Sequence, residues 1–129
     1  MKHKKVGRKF SREKKQREAM LKIMLGDLLV KKRMTTTLAK AKELKMIAEK
    51  IIGQTKRPES LRRLKSKLPQ NIDMKTLRGI ALIAAPKNSG YLRVIKKGRR
   101  LSDSAQMAIL EIIDEGKKSD DKEPDKEKV

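Results

Sequence analysis

Positive charge is concentrated at the start of this chain, and it limits where a hydrophobic core can begin. Ten lysine and arginine residues stand among the first 22 positions, against only Glu13 and Glu18. Residues 23–114 hold a further basic excess, whereas residues 115–129 hold five basic and six acidic residues. A folded surface with a net charge of +20 repels itself and is tolerated mainly where a polyanion neutralises it. The charge therefore indicates a binding protein with a polyanionic partner.

Length and composition allow one domain. We expect a basic arm over residues 1–10, a single globular domain over residues 11–114 and a disordered charged tail over residues 115–129. The absence of cysteine excludes a disulfide framework and fits a reducing compartment. The longest charge-free run, residues 79–86, is too short to span a bilayer, and no secretory signal opens the chain. A mitochondrial presequence is the rival reading of the N-terminus, but this segment is lysine-rich and runs straight into a helical pattern.

Apolar periodicity predicts four helices. Ser11 is a candidate N-cap, with Glu13 in the first turn, for a helix that runs to about Lys32 with Ala19, Met20, Ile23, Met24 and Leu28 on its apolar face. Leu21, Leu25 and Leu29 widen that face. A short strand at residues 34–36 then leads to a second helix, capped by Thr37 and ended near Gly53. Shorter helices are predicted over residues 58–67 and 74–84.

The pattern changes after the turn-like residues 87–90. Residues 91–96 alternate, with Tyr91 and Arg93 opposed to Leu92 and Val94, and residues 105–113 alternate again. The segment 97–104 is predicted to join them as the loop of an antiparallel hairpin. The fold class is therefore α+β, with helices packed on one face of a small, about three-stranded mixed sheet that has a basic N-terminal extension.

Nothing in the sequence predicts an enzyme. The one histidine, His3, lies in the basic arm, and the acidic residues of the middle section are scattered singly. We expect Glu43 and Glu49 to pair with lysines of their own helix. Without paired carboxylates, a His–Glu cluster or a glycine-rich phosphate loop, we assign no catalytic residue, metal, cofactor or small-molecule substrate.

The composition favours contact with a nucleic-acid backbone over the reading of bases. Phe10 and Tyr91 are the only aromatic residues, so no stacking platform for unpaired bases is available. Tyr91 is equally suited to packing and to base contact, and the threonines at 35–37 equally suit hydroxyl contacts, strand formation and capping. Basic clusters are the candidate contacts, although residues 62–67 are as well explained as a solvated helix face.

Motifs at both ends of the chain resemble one known family. The N-terminal pattern of that family is a basic residue, His, two basic residues, Gly-Arg and a further Arg, and this chain matches it in MKHKKVGRKFSR. QREAMLKIM resembles its first helix, MTTTLAKAKELK its threonines leading into Ala-Lys-Glu, and SGYLRVIKKGRR with DSAQMAILEI its closing hairpin. The motifs stand in order over residues 1–56 and 88–114, whereas residues 57–87 diverge. On this basis the chain resembles the bacterial large-subunit ribosomal protein L17 family.

The resemblance implies a structural component of the large ribosomal subunit in the bacterial cytoplasm. It implies contact with large-subunit ribosomal RNA (rRNA) near the exit of the nascent-chain tunnel, and with neighbouring ribosomal proteins. The arm would order on RNA and help assembly. The predicted RNA contacts are Lys2, His3, Lys4, Lys5, Arg8, Lys9, Arg12, Lys15, Arg17, Lys22, Thr35, Thr36, Lys40, Lys42, Lys45, Tyr91, Arg93, Lys96, Lys97, Arg99 and Arg100.

The positive charge by itself is also compatible with two other classes of function. A nucleoid-type DNA-binding protein would be equally basic, but the sequence shows no recognition helix or dimer seam. Peripheral membrane binding is suggested by the basic and apolar faces of the first helix. Competition between rRNA and duplex DNA at equal salt, and pelleting with anionic vesicles, would discriminate these classes.

Overall fold

A computed structural model describes residues 3–116 of the chain. The predicted tail lies almost wholly outside this range, as does Lys2. The elements follow in the order α1 (Lys14–Lys31), β1 (Arg33–Thr37), α2 (Leu38–Thr55), a 3-10 turn (Pro58–Ser60), α3 (Leu61–Lys67), α4 (Met74–Ala84), β2 (Leu92–Arg99) and β3 (Gln106–Ile112).

The three strands form one sheet in the order β1-β3-β2. Both outer strands run antiparallel to β3, with Thr35 and Ile95 each opposite Ile109. The α+β class is confirmed, but the expectation of a mixed sheet is wrong. β1 and β2 do run in the same direction, yet β3 lies between them, so no parallel pair forms.

The helices cover one face of this sheet. On β3 the side chains of Ala108, Leu110 and Ile112 are buried, and they form one of the two alternating apolar sets in this strand. They pack with Leu44 and the other buried residues of α2, which contacts all three strands and the other helices. The opposite face is more open, with Ile95 38% exposed. Burial of this one-sided core is what orders the domain.

α1 begins later than predicted. Its N-cap is Glu13, in extended conformation and without a side-chain capping bond, so neither Ser11 as cap nor Glu13 in the first turn is correct. The buried face also differs in part from the prediction, although Leu28 is buried as expected. Leu21, Leu25 and Leu29 are central to it, whereas Ala19 is exposed and Ile23 is 62% exposed. The sequence has apolar residues on both sides of this helix, so periodicity alone could not fix which side is buried.

α1 ends at a residue with no obvious stop signal. Lys32 adopts a left-handed conformation with φ 62°, and its N–H donates to the carbonyl of Leu28 at 2.7 Å. Its own carbonyl accepts a hydrogen bond from the N–H of Ile112 at 2.9 Å, which ties the helix end to β3. This contact with the sheet holds a conformation that normally favours glycine or asparagine.

The remaining helices follow the predictions closely. α2 passes through Gly53 and ends two residues later, because the helix continues to the buried Thr55, whose hydroxyl donates to the Ile52 carbonyl at 2.7 Å. The predicted helix over residues 58–67 is divided into the 3-10 turn and α3, and Pro69 follows it. α4 has the predicted bounds, with Asp73 at its N-cap.

The hairpin is longer than predicted because β2 contains a bulge. Lys96 lies opposite Ala108 and Gly98 lies opposite Met107, so Lys97 is an extra residue. Gly98 has φ 112°, a conformation that side-chain-bearing residues rarely adopt. The strand therefore continues to Arg99, and the connecting loop begins at residue 100 rather than at 97.

Candidate nucleic-acid interface

Three distant segments of the chain meet at the N-terminus of α2. One concavity of about 400 Å³ is lined by Arg8 of the arm, by Lys42 and the first residues of α2, and by Gln106 of β3. A second, of about 220 Å³, is lined by Lys96, Arg99 and other residues of the hairpin. The two concavities share Leu38 and Gln106, so they form one continuous surface. We call it the α2 surface.

The bulge in β2 explains how two hairpin cations reach this surface. Lys96 is opposite Ala108 and Arg99 is opposite Gln106, and both partners are on the helix-facing side of β3. In a regular strand, residues three apart point to opposite faces. The additional residue Lys97 brings Lys96 and Arg99 onto the same side. Gly98 makes that bulge possible.

The charged residues that line the α2 surface are all basic. No acidic residue is among the residues that line either concavity. Thr37 is the N-cap of α2 but makes no side-chain capping bond, which leaves the first N–H groups of the helix without a side-chain partner. The positive end of the helix dipole adds to Arg8, Lys42, Lys96 and Arg99. Oxygen atoms of a phosphate are suited to such a surface.

The arm lies against the side of α2. A Cβ atom added at Gly7, where φ is 97°, would lie 3.0 Å from the Oε1 atom of Glu43. Arg12 donates from Nη1 to the carbonyl of Phe10 at 2.9 Å, and residues 3–13 contain turns but no helix or strand. The predicted flexibility of the arm in the absence of RNA stays a prediction.

Two glutamates of α2 have roles that sequence spacing did not predict. The carboxylate of Glu49 accepts hydrogen bonds from the backbone N–H of Tyr91 at 3.2 Å and of Leu92 at 2.9 Å, so it anchors the start of β2. Glu43 faces Gly7 of the arm. The ion pairs found in residues 3–116 include neither glutamate, so the expected pairing with lysines of their own helix is wrong.

Tyr91 is part of the core. The residue is 5% exposed, its hydroxyl donates to the carbonyl of Asn88 at 2.9 Å, and the Nζ atom of Lys56 lies 5.2 Å from the ring centre. Of the two readings of this residue, packing is the one that the structure supports. Its ring offers little surface to a base, and its inclusion among the RNA contacts is corrected on that ground.

Two arginines on the sheet, of which only Arg93 was a predicted contact, are held by one carboxylate. Arg33, Glu111 and Arg93 lie opposite one another across the three strands. The Nε atom of Arg33 is 3.8 Å from Glu111, and Arg93 donates its Nε–H to the same carboxylate. The Glu111 side chain is 14% exposed, whereas both arginines are at least half exposed. Arg93 therefore has its charge partly neutralised and its position fixed.

Arg100 is held in the hairpin loop. It donates to both carboxylate oxygens of Asp103, from Nε at 2.9 Å and from Nη2 at 2.6 Å. This bond, together with the backbone N–H of Ala105, holds the pKa of Asp103 well below its usual range, and the same hydrogen bond raises the pKa of Arg100. The pair closes the loop, so the Arg100 charge is already matched within the domain.

The other predicted contacts remain accessible but are not brought into one site. The predicted contacts that are exposed or partly exposed and lie outside the α2 surface are His3, Lys4, Lys5, Lys9, Arg12, Lys15, Arg17, Lys22, Thr35, Thr36, Lys40, Lys45 and Lys97. A separate concavity of about 690 Å³ is lined by Arg62, Lys65 and Arg78, none of which was among the predicted contacts. The three-residue spacing of Arg62 and Lys65 was visible in the sequence, but the approach of Arg78 depends on helix packing.

Neither a metal-ligand cluster nor a membrane-spanning helix is found in the described residues. Within residues 3–116, no group of three or more His, Asp or Glu side chains is placed to bind a metal ion. No helix in the same range is long and apolar enough to cross a bilayer. What the described domain presents is a set of exposed lysine and arginine side chains on a packed α+β core.

Comparison with known proteins identifies the family. A profile described as Ribosomal protein L17 matches residues 20–113. The chain is 41% identical over 130 residues to the large ribosomal subunit protein bL17 of Thermodesulfovibrio yellowstonii, with 98% of this chain and 96% of that protein covered. It is 38% identical over 117 residues to bL17 of Anaeromyxobacter sp. strain K, with coverage of 88% and 74%, and 36% identical over 118 residues to bL17 of Allorhizobium ampelinum, with coverage of 88% and 83%.

The chain belongs to the ribosomal protein L17 family. Members of this family are structural, non-enzymatic proteins of the large ribosomal subunit, and they function in translation within the ribosome of the bacterial cytoplasm. The predictions of family and of a non-enzymatic role are thereby confirmed.

Proposed function

We propose that this protein binds large-subunit rRNA through its phosphate backbone, with the α2 surface as the main docking site of the folded domain. The observation that supports this most directly is the convergence of Arg8, Lys42, Lys96 and Arg99 from three segments around the open N-terminus of α2. Their lining residues include no carboxylate. Phosphate contacts of this kind fix position without reading sequence.

The wider role follows from family membership. We propose that the protein lies near the exit of the nascent-chain tunnel, contacts neighbouring large-subunit proteins and supports subunit assembly. The basic arm would then enter a groove between RNA helices and screen packed phosphates there. Lysine-specific cross-linking of assembled large subunits, followed by mapping of the linked partners, tests this location.

The salt dependence of rRNA binding tests the α2 surface. The four cations are replaced in Arg8→Gln/Lys42→Gln/Lys96→Gln/Arg99→Gln, and a control of equal charge loss is Lys50→Gln/Arg57→Gln/Lys67→Gln/Lys75→Gln, which changes exposed residues elsewhere. Each lost phosphate contact lowers the slope of log K against log salt by roughly 0.7–0.9. We expect a decrease of about 3 for the first variant and under 1 for the control.

The same experiment includes the DNA-binding alternative. Folded large-subunit rRNA and duplex DNA compete for the wild-type protein at equal salt in a filter-binding assay. We expect the protein to bind rRNA in preference to duplex DNA. A preference for duplex DNA would refute the proposed function, and equal slopes for the two quadruple variants would refute the choice of surface.

A further inference from the structure

A second cationic concavity lies between α3 and α4, in the part of the chain that diverges from the family motifs. Arg62 and Lys65 border it from α3, and Arg78 borders it from α4. Leu68, Pro69 and Met74 form its apolar floor, and its volume is about 690 Å³. We call it the α3–α4 groove. Its lining includes no acidic residue.

The folding of this segment forces the three cations together. Leu61 and Leu64 are buried on one side of α3, which leaves Arg62 and Lys65 on the exposed side. Pro69 follows the helix, and the turn after it brings α4 alongside. None of the ion pairs found in residues 3–116 includes any of the three. Like charges held together in this way favour an anion between them.

The groove lies beside α1. A Cβ atom added at Gly26 would lie 2.8 Å from the Cγ atom of Pro69, so α1 passes directly beside the floor of the groove. Lys22 is four residues before Gly26 and therefore lies one turn away on the same side of α1. Lys22 therefore adds one cation on the side of α1 that faces Pro69. Cations spread over three helices suit a long polyanion better than a short acidic peptide.

We propose that the α3–α4 groove is a second rRNA-binding site, which takes a phosphodiester strand with one unpaired nucleoside. The arginines Arg62 and Arg78 suit bidentate contact with phosphate oxygens, and a guanidinium plane also stacks on a base. Pro69 and Met74 supply an apolar floor for the base or ribose. The volume lies within the range of sites that enclose small organic groups. This proposal rests on rRNA being the partner of the protein.

Matched variants test the site. Arg62→Gln/Lys65→Gln/Arg78→Gln removes the groove cations, and Arg63→Gln/Lys67→Gln/Lys75→Gln removes the same charge from exposed residues of the same two helices. At a slope of about 0.7 per contact with unpaired RNA, we expect the groove variant to lower the salt slope for large-subunit rRNA by roughly 2 and to weaken binding at least tenfold at physiological salt. The control should change the slope by under 1. Equal losses in the two variants would overturn the proposal.

Lysine acetylation of the wild-type protein gives a second readout that needs no variant to fold. In the rRNA complex we expect Lys65 to be protected, while Lys67 and Lys75 react as in the free protein. If rRNA binds and Lys65 reacts as fast as Lys75, the groove is not an RNA site, although the proposed function stands. Protection of Lys65 by a poly-glutamate peptide but not by rRNA would also overturn the proposal. If wild-type protein fails to bind rRNA at all, the proposed function itself is refuted.

Discussion

Lys96 and Arg99 lie at the part of the hairpin that faces α2, whereas Arg93 and Arg100 lie a few residues away and are held by Glu111 and Asp103. All four were equivalent in the sequence, as basic residues of one cluster. The two pairs differ in whether the fold places a carboxylate beside the cationic group, as it does for Arg93 and Arg100. Cations without one favour an external anion, whereas paired cations mainly fix the geometry of the domain. Density of positive charge is therefore a poor guide to which residues bind RNA.

The strongest test of this contrast is to remove the bulge that brings Lys96 and Arg99 together. Gly98→Ala places a side chain at φ 112°, and we expect it to lower the free energy of unfolding by about 1–3 kcal/mol in a denaturant titration. If β2 straightens, Lys96 and Arg99 point to opposite faces, and rRNA binding at physiological salt weakens by about three- to tenfold.

Gly79→Ala is the matched control for this substitution. Gly79 is inside α4, and a Cβ atom added there has no heavy atom within 4 Å. The change should raise the free energy of unfolding by roughly 0.5–1 kcal/mol, because alanine is the better helix former, and leave RNA binding unchanged. Unchanged rRNA affinity in Gly98→Ala would show that the bulge does not organise the α2 surface.

The elements that local sequence could predict are those whose signals lie within a few residues. The bounds of α4 were predicted to the residue because Asp73 precedes and Pro86 follows a helical apolar pattern. The two alternating sets of residues in β3 were also visible, but both sets are apolar, so the sequence did not show that Ala108, Leu110 and Ile112 face inward.

The features that were missed depend on contacts between residues distant in sequence. Glu49 anchors β2 from 42 residues away, and Glu111 holds Arg93 across the sheet. Their spacing within α2 and β3 gives no sign of these partners. The four cations of the α2 surface were each among the predicted contacts, but their convergence was not predicted, because they come from the arm, a helix and a bulge. Only the glycine at position 98 within a strand-like pattern was a local signal for that bulge.

Single substitutions distinguish accessible cations from paired ones through a smaller change in rRNA binding than that expected for Gly98→Ala. Lys96→Gln should lower the salt slope of rRNA binding by roughly 0.7–0.9, the value for one phosphate contact. Arg100→Gln removes the same charge from the same hairpin but should leave the slope nearly unchanged, since Asp103 already matches the Arg100 charge. Filter binding over a salt series measures both. A larger slope change for Arg100→Gln than for Lys96→Gln would reverse the assignment.

The smallest effect is the titration of Asp103. Because the pKa of this carboxyl is lowered in the folded loop, its pairing with Arg100 contributes fully above the ordinary Asp pKa of about 3.9 and is lost only as the pH falls through the lower folded value. An NMR titration of the side-chain carboxyl carbon should therefore show Asp103 ionised at pH values where an ordinary aspartate is protonated. In Arg100→Gln the pKa should rise, because the hydrogen bond from Arg100 is the largest cause of its depression. An ordinary pKa in the wild-type protein would mean that the loop is open in solution, and Arg100 would then join Lys96 and Arg99 as a cation available to RNA.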